Sequence, residues 1–193
     1  MPIEVRPATA ERFGDLEMVL GPKAPEAPAC WCLSYRLSSG DLRFKNGTSR
    51  RAVMRDLCSE PVPPGVLAYR GDEVVGWCSV SPRSSYRRLV HSRVIPHVDD
   101  RPVWSVTCFV VRPGFRRQGV AVELLEGAVA FARDQGATIL EGYPADTAGK
   151  RLNGAFAYTG TRSLFERVGF AVVANTTSTT GGFPRVVMRR DIE

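Results

Sequence analysis

The alternation and periodicity of apolar residues divide the chain into short strands and helices. Apolar and polar residues alternate over Ile3–Arg6, which predicts a first strand. Thr9 is placed to cap a following helix, whose apolar residues share one face: Phe13, Leu16, Val19 and Leu20. After an irregular stretch, a second helix is expected from Thr48 or Ser49 to about Cys58, because prolines follow closely.

The middle of the chain predicts a β-hairpin and then a strand, a turn and a helix. The runs Val66–Tyr69 and Val74–Val80 flank a Gly-containing turn, as in a hairpin. Val103–Val111 is a longer β-rich run, and a Pro-Gly pair ends it. From Val120 the apolar residues fall at helical spacing, and Gly136 occupies the position of a C-terminal cap.

The last third of the chain adds a strand, a short helix and a terminal strand pair. We expect a strand over Ala137–Tyr143, a helix over Thr161–Val168, and paired strands over 170–174 and 185–190. Because no repeat or linker interrupts this order, the sequence predicts a single α/β domain over residues 1–193.

Composition excludes several classes of protein. The hydrophobic fraction is 44% and the charged fraction 24%, which is typical of folded globular domains. No apolar run approaches the roughly 18 residues that a membrane span requires, and the N-terminus lacks a signal-peptide pattern, so we expect a cytoplasmic protein that does not bind a membrane. The net charge is +6, but the basic residues are scattered, which indicates a solvated basic surface and argues against a nucleic-acid-binding tail. A weaker alternative is attraction of a small polyanionic ligand, which needs only a few cations in one place.

The cysteines and histidines do not predict a metal site. Cys30 and Cys32 form a CxC pair, whereas His91 and His97 have no zinc-ligand spacing to any cysteine pair. The other three cysteines are Cys58, Cys78 and Cys108, and the last two fall in strand-like runs. We therefore expect reduced thiols and no bound metal.

The segment Val111–Ala121 carries the most informative chemistry. A buried strand runs through a turn into a helix, so the first helical amides lack intrahelical partners and attract an anion such as a pyrophosphate. Gly119 removes the Cβ that would keep a phosphate from the backbone, and Arg116 and Arg117 supply positive charge. The spacing matches neither GxxxxGK[ST] nor GxGxxG, which excludes those two nucleotide motifs.

Arg116-x-x-Gly119-x-Ala121, directly after a strand, resembles the acetyl-CoA-binding motif of the GNAT superfamily of N-acetyltransferases. Met1–Ala8 resembles the first strand of that family, residues 66–80 its second and third strands, and Leu164–Phe170 its Leu-Tyr-x-x-x-Gly-Phe motif. The resemblance implies a GNAT-like α/β fold with a central, mostly antiparallel, splayed sheet flanked by helices.

The resemblance also implies acetyl-CoA as cosubstrate, with the pantetheine arm in the gap between the fourth and fifth strands. The implied coenzyme-binding residues lie on the strand, the turn and a later helix: Phe109, Val110, Val111, Arg116, Arg117, Gln118, Gly119, Val120, Ala121 and Phe165. A backbone N–H near Phe109–Val111 would face the thioester oxygen and stabilise the charge that develops there.

The implied reaction is direct attack of a primary amine on the thioester in a ternary complex, and it requires two proton transfers. Phe165 stands where the family often has a tyrosine that protonates the leaving thiolate. Tyr158, Tyr143 or water could replace it, and Tyr158 is nearest in sequence. The sequence favours the simpler interpretation of Tyr158 as a half-buried aromatic beside the helix.

No carboxylate or histidine lies in 103–111, so the general base must come from elsewhere. Glu141 is the first candidate, because burial could raise its pKa. It can equally be a rim residue in an ordinary hydrogen bond. Asp146 and the two histidines follow it.

The acceptor is expected to be an amine of a small molecule, an amino-acid derivative or a peptide. Segments 21–47, 82–102 and 175–184 are least fixed by the fold and should select it, aided by aromatic surfaces: Trp31, Tyr35, Trp77 and Trp104. Family members are often dimers, so a homodimer is compatible with the resemblance. Two alternatives stay open, a non-catalytic acyl-CoA-binding sensor or interaction module and, on the +6 charge, a nucleic-acid-binding domain.

Overall fold

A computed structural model describes residues 2–22, 24, 27, 29–38, 40–41 and 47–193. Its centre is a seven-stranded sheet with the order β1-β2-β3-β4-β5-β7-β6. The strands are β1 Ile3–Pro7, β2 Gly65–Arg70, β3 Glu73–Pro82, β4 Trp104–Val111, β5 Ile139–Gly142, β6 Ala171–Thr180 and β7 Phe183–Asp191. Only the pair β4 and β5 is parallel. The expected mostly antiparallel α/β sheet flanked by helices is confirmed.

The described helices include the four predicted ones in order, and a further short helix, Arg87–Val90, lies in the segment 82–102, for which the sequence predicts no helix. They are α1 Phe13–Leu20, α2 Gly47–Cys58, α3 Arg87–Val90, α4 Val120–Asp134 and α5 Arg162–Arg167, with short 3-10 helices at Ala10–Arg12, Arg83–Ser85 and Gly154–Thr159. Thr9 precedes a 3-10 turn instead of capping α1, and its side chain makes no capping hydrogen bond. The predicted irregular segment 21–47 lies partly outside the described residues. Its expected role in selecting the acceptor therefore stays a prediction.

The described residues form three hydrophobic clusters, and the two largest lie on opposite faces of the sheet. Helix α4 buries its apolar stripe, including Leu124 and Ala128, against one face. Gly127 allows this close approach, because a Cβ there would lie 2.4 Å from a methyl carbon of Val5. The other face is covered by α1, α2 and the segment 29–38, with Trp31 and Trp77 fully buried.

The two parallel strands separate after only three residue pairs. Their register ends at Val106 opposite Gly142, although β4 continues to Val111. Pro144 has no N–H to extend the ladder, and Ala145 instead forms bridges to Thr161 and Arg185. The expected splay between these strands is therefore a feature of the fold.

A β-bulge lies at the same point of β4. Ser79 of β3 is opposite Cys108, whereas the next residue, Val80, is opposite Val106, so Thr107 is the extra residue. Val106 contacts the core under α4, whereas Cys108 contacts the core on the other face. The bulge thus changes which side chains face each side of the gap.

Within the described ranges, no helix has the length and apolarity to cross a membrane.

Candidate active site

The turn between β4 and α4 presents unpaired backbone amides. Gly119 precedes the first helical residue with a φ of 83°, and Arg117 has a φ of 60°, so the backbone curls tightly there. The amides of residues 116–121 make no backbone hydrogen bond within the part of the chain that the structure describes. Because the helix dipole adds about half a positive charge at this end, the turn is suited to an anion.

The side chain of Gln118 braces this turn. Its Nε2 donates to the carbonyl oxygen of Gly114 at 2.6 Å, and its Oε1 accepts from Arg70 Nη1 at 2.7 Å. Gln118 does not line the cavity described next. Its contribution to the turn is therefore conformational, apart from its backbone amide.

A cavity of about 610 Å³ begins at these amides and continues along the open edge of β4. Its lining comes from β4, the turn, the start of α4, the 3-10 helix and α5: Phe109, Val110, Val111, Phe115, Arg116, Arg117, Gly119, Val120, Ala121, Val122, Gly154, Ala155, Ala157, Tyr158, Gly160, Leu164 and Arg167. The structure thus brings together eight of the ten residues that the resemblance implied for coenzyme binding. The two exceptions are Gln118 and Phe165. Tyr158 lies on the same cavity.

Three arginines line the cavity. Arg116 and Arg117 come from the turn, and Arg167 comes from α5. Arg116 donates from Nε to the carbonyl oxygen of Val111 at 3.0 Å, which holds its guanidinium group beside the cavity. None of the three forms an ion pair with a described carboxylate, so their charge is available to a polyanion.

Phe165 lies behind the cavity wall and is fully buried. Its ring packs edge-on against Phe109 with centroids 6.0 Å apart, and against Phe170 at 5.0 Å. Gly142 makes room for it, since a Cβ there would lie 2.1 Å from the Phe165 ring. Phe165 supports the cavity wall through Phe109 without lining it.

Glu141 lies in the buried part of the sheet, outside the lining of the cavity. Its Oε1 accepts from the Tyr143 hydroxyl at 2.6 Å, and its Oε2 accepts from Arg189 Nε at 2.7 Å. The Nε of Arg83 lies 3.6 Å from Oε1. The carboxylate is thus a satisfied member of a charged network, and its predicted role as general base stays a prediction.

Tyr143 extends this network to β4. Its hydroxyl is 2.9 Å from the Ser105 hydroxyl, and burial together with the negative charge of Glu141 raises its pKa well above the ordinary value. A tyrosine with a raised pKa is a poorer acid, which favours Tyr158 over Tyr143 as proton donor. Tyr158 is 38% exposed and faces the cavity.

Thr107 has a buried hydroxyl without a partner. The residue is 2% exposed, and its Oγ1 makes no hydrogen bond to any described residue. It is the bulge residue at the point where β4 and β5 separate. Sequence reasoning missed Thr107, because only the register with β3 identifies a bulge.

The other candidates for a general base lie away from the cavity lining. Asp146 accepts from Arg162 Nη1 at 3.0 Å. His97 is exposed, with its Nδ1 3.9 Å from Asp100. Gly154, Ala155 and Ala157 do line the cavity, and no sequence signal singled them out, because the 3-10 helix that contains them has no apolar period.

Comparison with known proteins agrees with this geometry. The model of the Acetyltransferase (GNAT) family matches residues 34–152. An acetyltransferase of the GNAT family from Streptococcus pneumoniae has a similar structure, with a TM-score of 0.55, 15% identity and 100% coverage of both chains. No curated protein sequence gives a significant match.

Two further solved structures of similar fold are N-acetyltransferases. The PaiA N-acetyltransferase from Thermoplasma acidophilum, solved in complex with coenzyme A, has a TM-score of 0.52, 16% identity and 99% coverage of both chains. The polyamine N-acetyltransferase of Drosophila melanogaster has a TM-score of 0.55, 12% identity, and coverage of 98% of this chain and 100% of its own.

Since the family model covers more than half of the residues, the class is settled: the chain belongs to the GNAT acetyltransferase family.

Proposed function

We propose that the protein is an acetyl-CoA-dependent N-acetyltransferase, built as one domain over residues 1–193 and acting in the cytoplasm. It transfers the acetyl group to a primary amine of a small molecule, an amino-acid derivative or a peptide, by direct attack in a ternary complex. The observation that carries the proposal is the single cavity that joins the free amides of the β4–α4 turn to the open edge of β4.

In this proposal the turn binds the diphosphate of acetyl-CoA. The amides of Arg117 to Ala121 donate to it, and Arg116, Arg117 and Arg167 add positive charge. A Cβ at Gly119 would meet no protein atom within 4 Å, so the space beside this residue is open to a ligand. The residues present therefore fit a phosphate-bearing substrate.

The pantetheine arm lies along β4 in the place of a neighbouring strand. Beyond Val106 this edge of β4 has no strand partner, so Phe109–Val111 can offer backbone groups to the arm. Holding both substrates at the gap makes the reaction effectively unimolecular. A β4 amide donating to the thioester oxygen stabilises the negative charge that develops on it during attack.

Proton transfer is assigned to two groups. Tyr158, on the cavity, donates to the departing sulfur, and the predicted base Glu141 acts only if a water or a conformational change connects it to the amine. A thiolate is a tolerable leaving group, since a thiol pKa is about 8.5. Loss of the Tyr158 hydroxyl should therefore lower the rate without abolishing transfer.

A first experiment measures binding and transfer separately. Calorimetric titration with acetyl-CoA should give a micromolar or tighter Kd, and thiol release should then depend on an added amine. The panel should include agmatine and polyamines, after the Drosophila enzyme, and N-terminal peptides, because one similar structure is a NatC complex bound to a Gag peptide and CoA. Absence of acetyl-CoA binding would remove the proposal.

Tyr158→Phe is the sharper test of the acid. We expect kcat to fall about 10- to 100-fold with an unchanged Kd for acetyl-CoA. Phe156→Leu, which changes an exposed side chain of the same 3-10 helix outside the cavity lining, is the control. An unchanged kcat for the Tyr158 variant would assign protonation to water.

A non-catalytic acyl-CoA sensor is the second candidate. Phe165 has no hydroxyl, and the carboxylate of Glu141 is already paired with Arg189. Tight acetyl-CoA binding without thiol release for any amine would favour this function.

A further inference from the structure

Two cysteines meet where the segment 29–38 packs on β4. The Sγ atoms of Cys32 and Cys108 are 2.9 Å apart, and both residues are free thiols. This pair has no part in the proposed acetyl transfer.

The fold itself holds the two closest thiols together. Trp31 and Cys32 adopt φ values of 51° and 50°, which non-glycine residues rarely take, and the Trp31 ring stacks on Phe13. Cys108 is fixed in the sheet opposite Ser79. Packing on one side and strand pairing on the other therefore impose the contact.

The separation is close to that of a covalent bond. A disulfide has an S–S distance of 2.03–2.05 Å, so bond formation requires the two sulfurs to approach by roughly 0.9 Å. Such a shift is within the range of side-chain rotation. Cys108 is only partly buried, so a small oxidant can reach the pair from the surface.

We propose that Cys32 and Cys108 are an oxidative modification site, which closes to an intramolecular disulfide when the protein meets hydrogen peroxide and so fastens the segment 29–38 to β4. One thiol of the pair loses its proton and attacks peroxide, giving a sulfenic acid and a hydroxide, which takes up this proton as the first water. The other thiol then attacks the sulfenic sulfur, and its proton leaves with the departing hydroxide as the second water. In sum, two thiols and one peroxide give one disulfide and two waters.

The modification links two parts of the chain that are distant in sequence. The bond would close a loop of 75 intervening residues, which restricts the unfolded chain, and Cys108 lies between Thr107 and the cavity residue Phe109. The reduced and oxidised proteins should therefore differ in thermal stability. This inference does not depend on the proposed acetyl transfer.

The test is mass spectrometry of the full chain before and after mild peroxide treatment. We expect the loss of two hydrogen atoms, reversal by a dithiol reductant, and a proteolytic fragment in which Cys32 is joined to Cys108. The midpoint of thermal unfolding should rise by roughly 5–10 °C on oxidation.

Variants separate this pair from the other thiols. Cys30→Ser and Cys58→Ser should still lose two hydrogens, whereas Cys108→Ser should not. An unchanged mass, oxygen adducts without a cross-link, a Cys30–Cys32 bond, or a cross-link that does not raise the midpoint would each overturn the proposal. The wild-type fragment map decides the question even if a variant fails to fold.

Discussion

Replacing Gly119 by glutamate tests the anion site most directly. The change introduces a side chain and a negative charge beside the free amides, at a position where a Cβ would meet no protein atom. Repulsion between this charge and one phosphate charge about 5 Å away is about 3 kcal/mol at an effective dielectric constant of about 20. That energy corresponds to a Kd for acetyl-CoA about 150-fold higher.

The same substitution also strains the backbone, and the matched variant Gly114→Glu controls for that effect. Gly114 has a φ of 89°, lies in the same turn and also has open space at its Cβ, but it does not line the cavity. Both variants should lose about 1–2 kcal/mol of stability from the positive φ. Only Gly119→Glu should lose binding.

Calorimetric titration of both variants, with thermal unfolding in parallel, provides the measurement. We expect equal falls in the unfolding midpoint of roughly 2–8 °C and at least a 100-fold difference in Kd between the two. Equal affinities for acetyl-CoA would show that the diphosphate binds elsewhere, and the assignment of the turn would be wrong.

Three further predictions concern side chains outside the cavity lining. Glu141→Gln should lower the free energy of unfolding by about 2–3 kcal/mol, because it removes one of the two carboxylates paired with buried Arg189 and leaves only Asp99. The control Glu73→Gln, in the exposed pair with Arg112, should lose less than about 1 kcal/mol. Denaturant titration measures both, and a Glu141 variant of normal stability but lost activity would instead support a base. Thr107→Val should raise the free energy of unfolding of the ligand-free protein by about 1 kcal/mol in the same denaturant titration, since it removes a buried hydroxyl with no described partner. A loss of stability would show that the Thr107 hydroxyl makes a hydrogen bond. The hydrogen bond from Arg189 lowers the pKa of Asp99 to about 2. The ionised carboxylate therefore stabilises the fold above pH about 4, and this contribution is lost as the pH falls towards 2. Asp99→Asn should make the free energy of unfolding less dependent on pH between about 4 and about 2, and an unchanged dependence would contradict the pairing.

The sequence by itself determined most of the elements and the turn that we propose binds the diphosphate. Hydrophobic period placed β4 and α4 within a residue or two, and the Gly119 motif identified the amides between them. These features are local, because a turn and the first helical amides are set by a few consecutive residues. The terminal strands β6 and β7 were underestimated, because their exposed, threonine-rich half carries no apolar alternation.

Tertiary structure alone decided which side chains meet. The contact of Cys32 with Cys108, the ion pair of Glu141 with Arg189 and the bulge at Thr107 all depend on strand register and on packing across the sheet. The register of a parallel pair such as β4 and β5 joins residues far apart in the chain, and no local pattern encodes it. Chemistry at the backbone was therefore predictable from sequence, whereas the partners of buried charges and thiols required the fold.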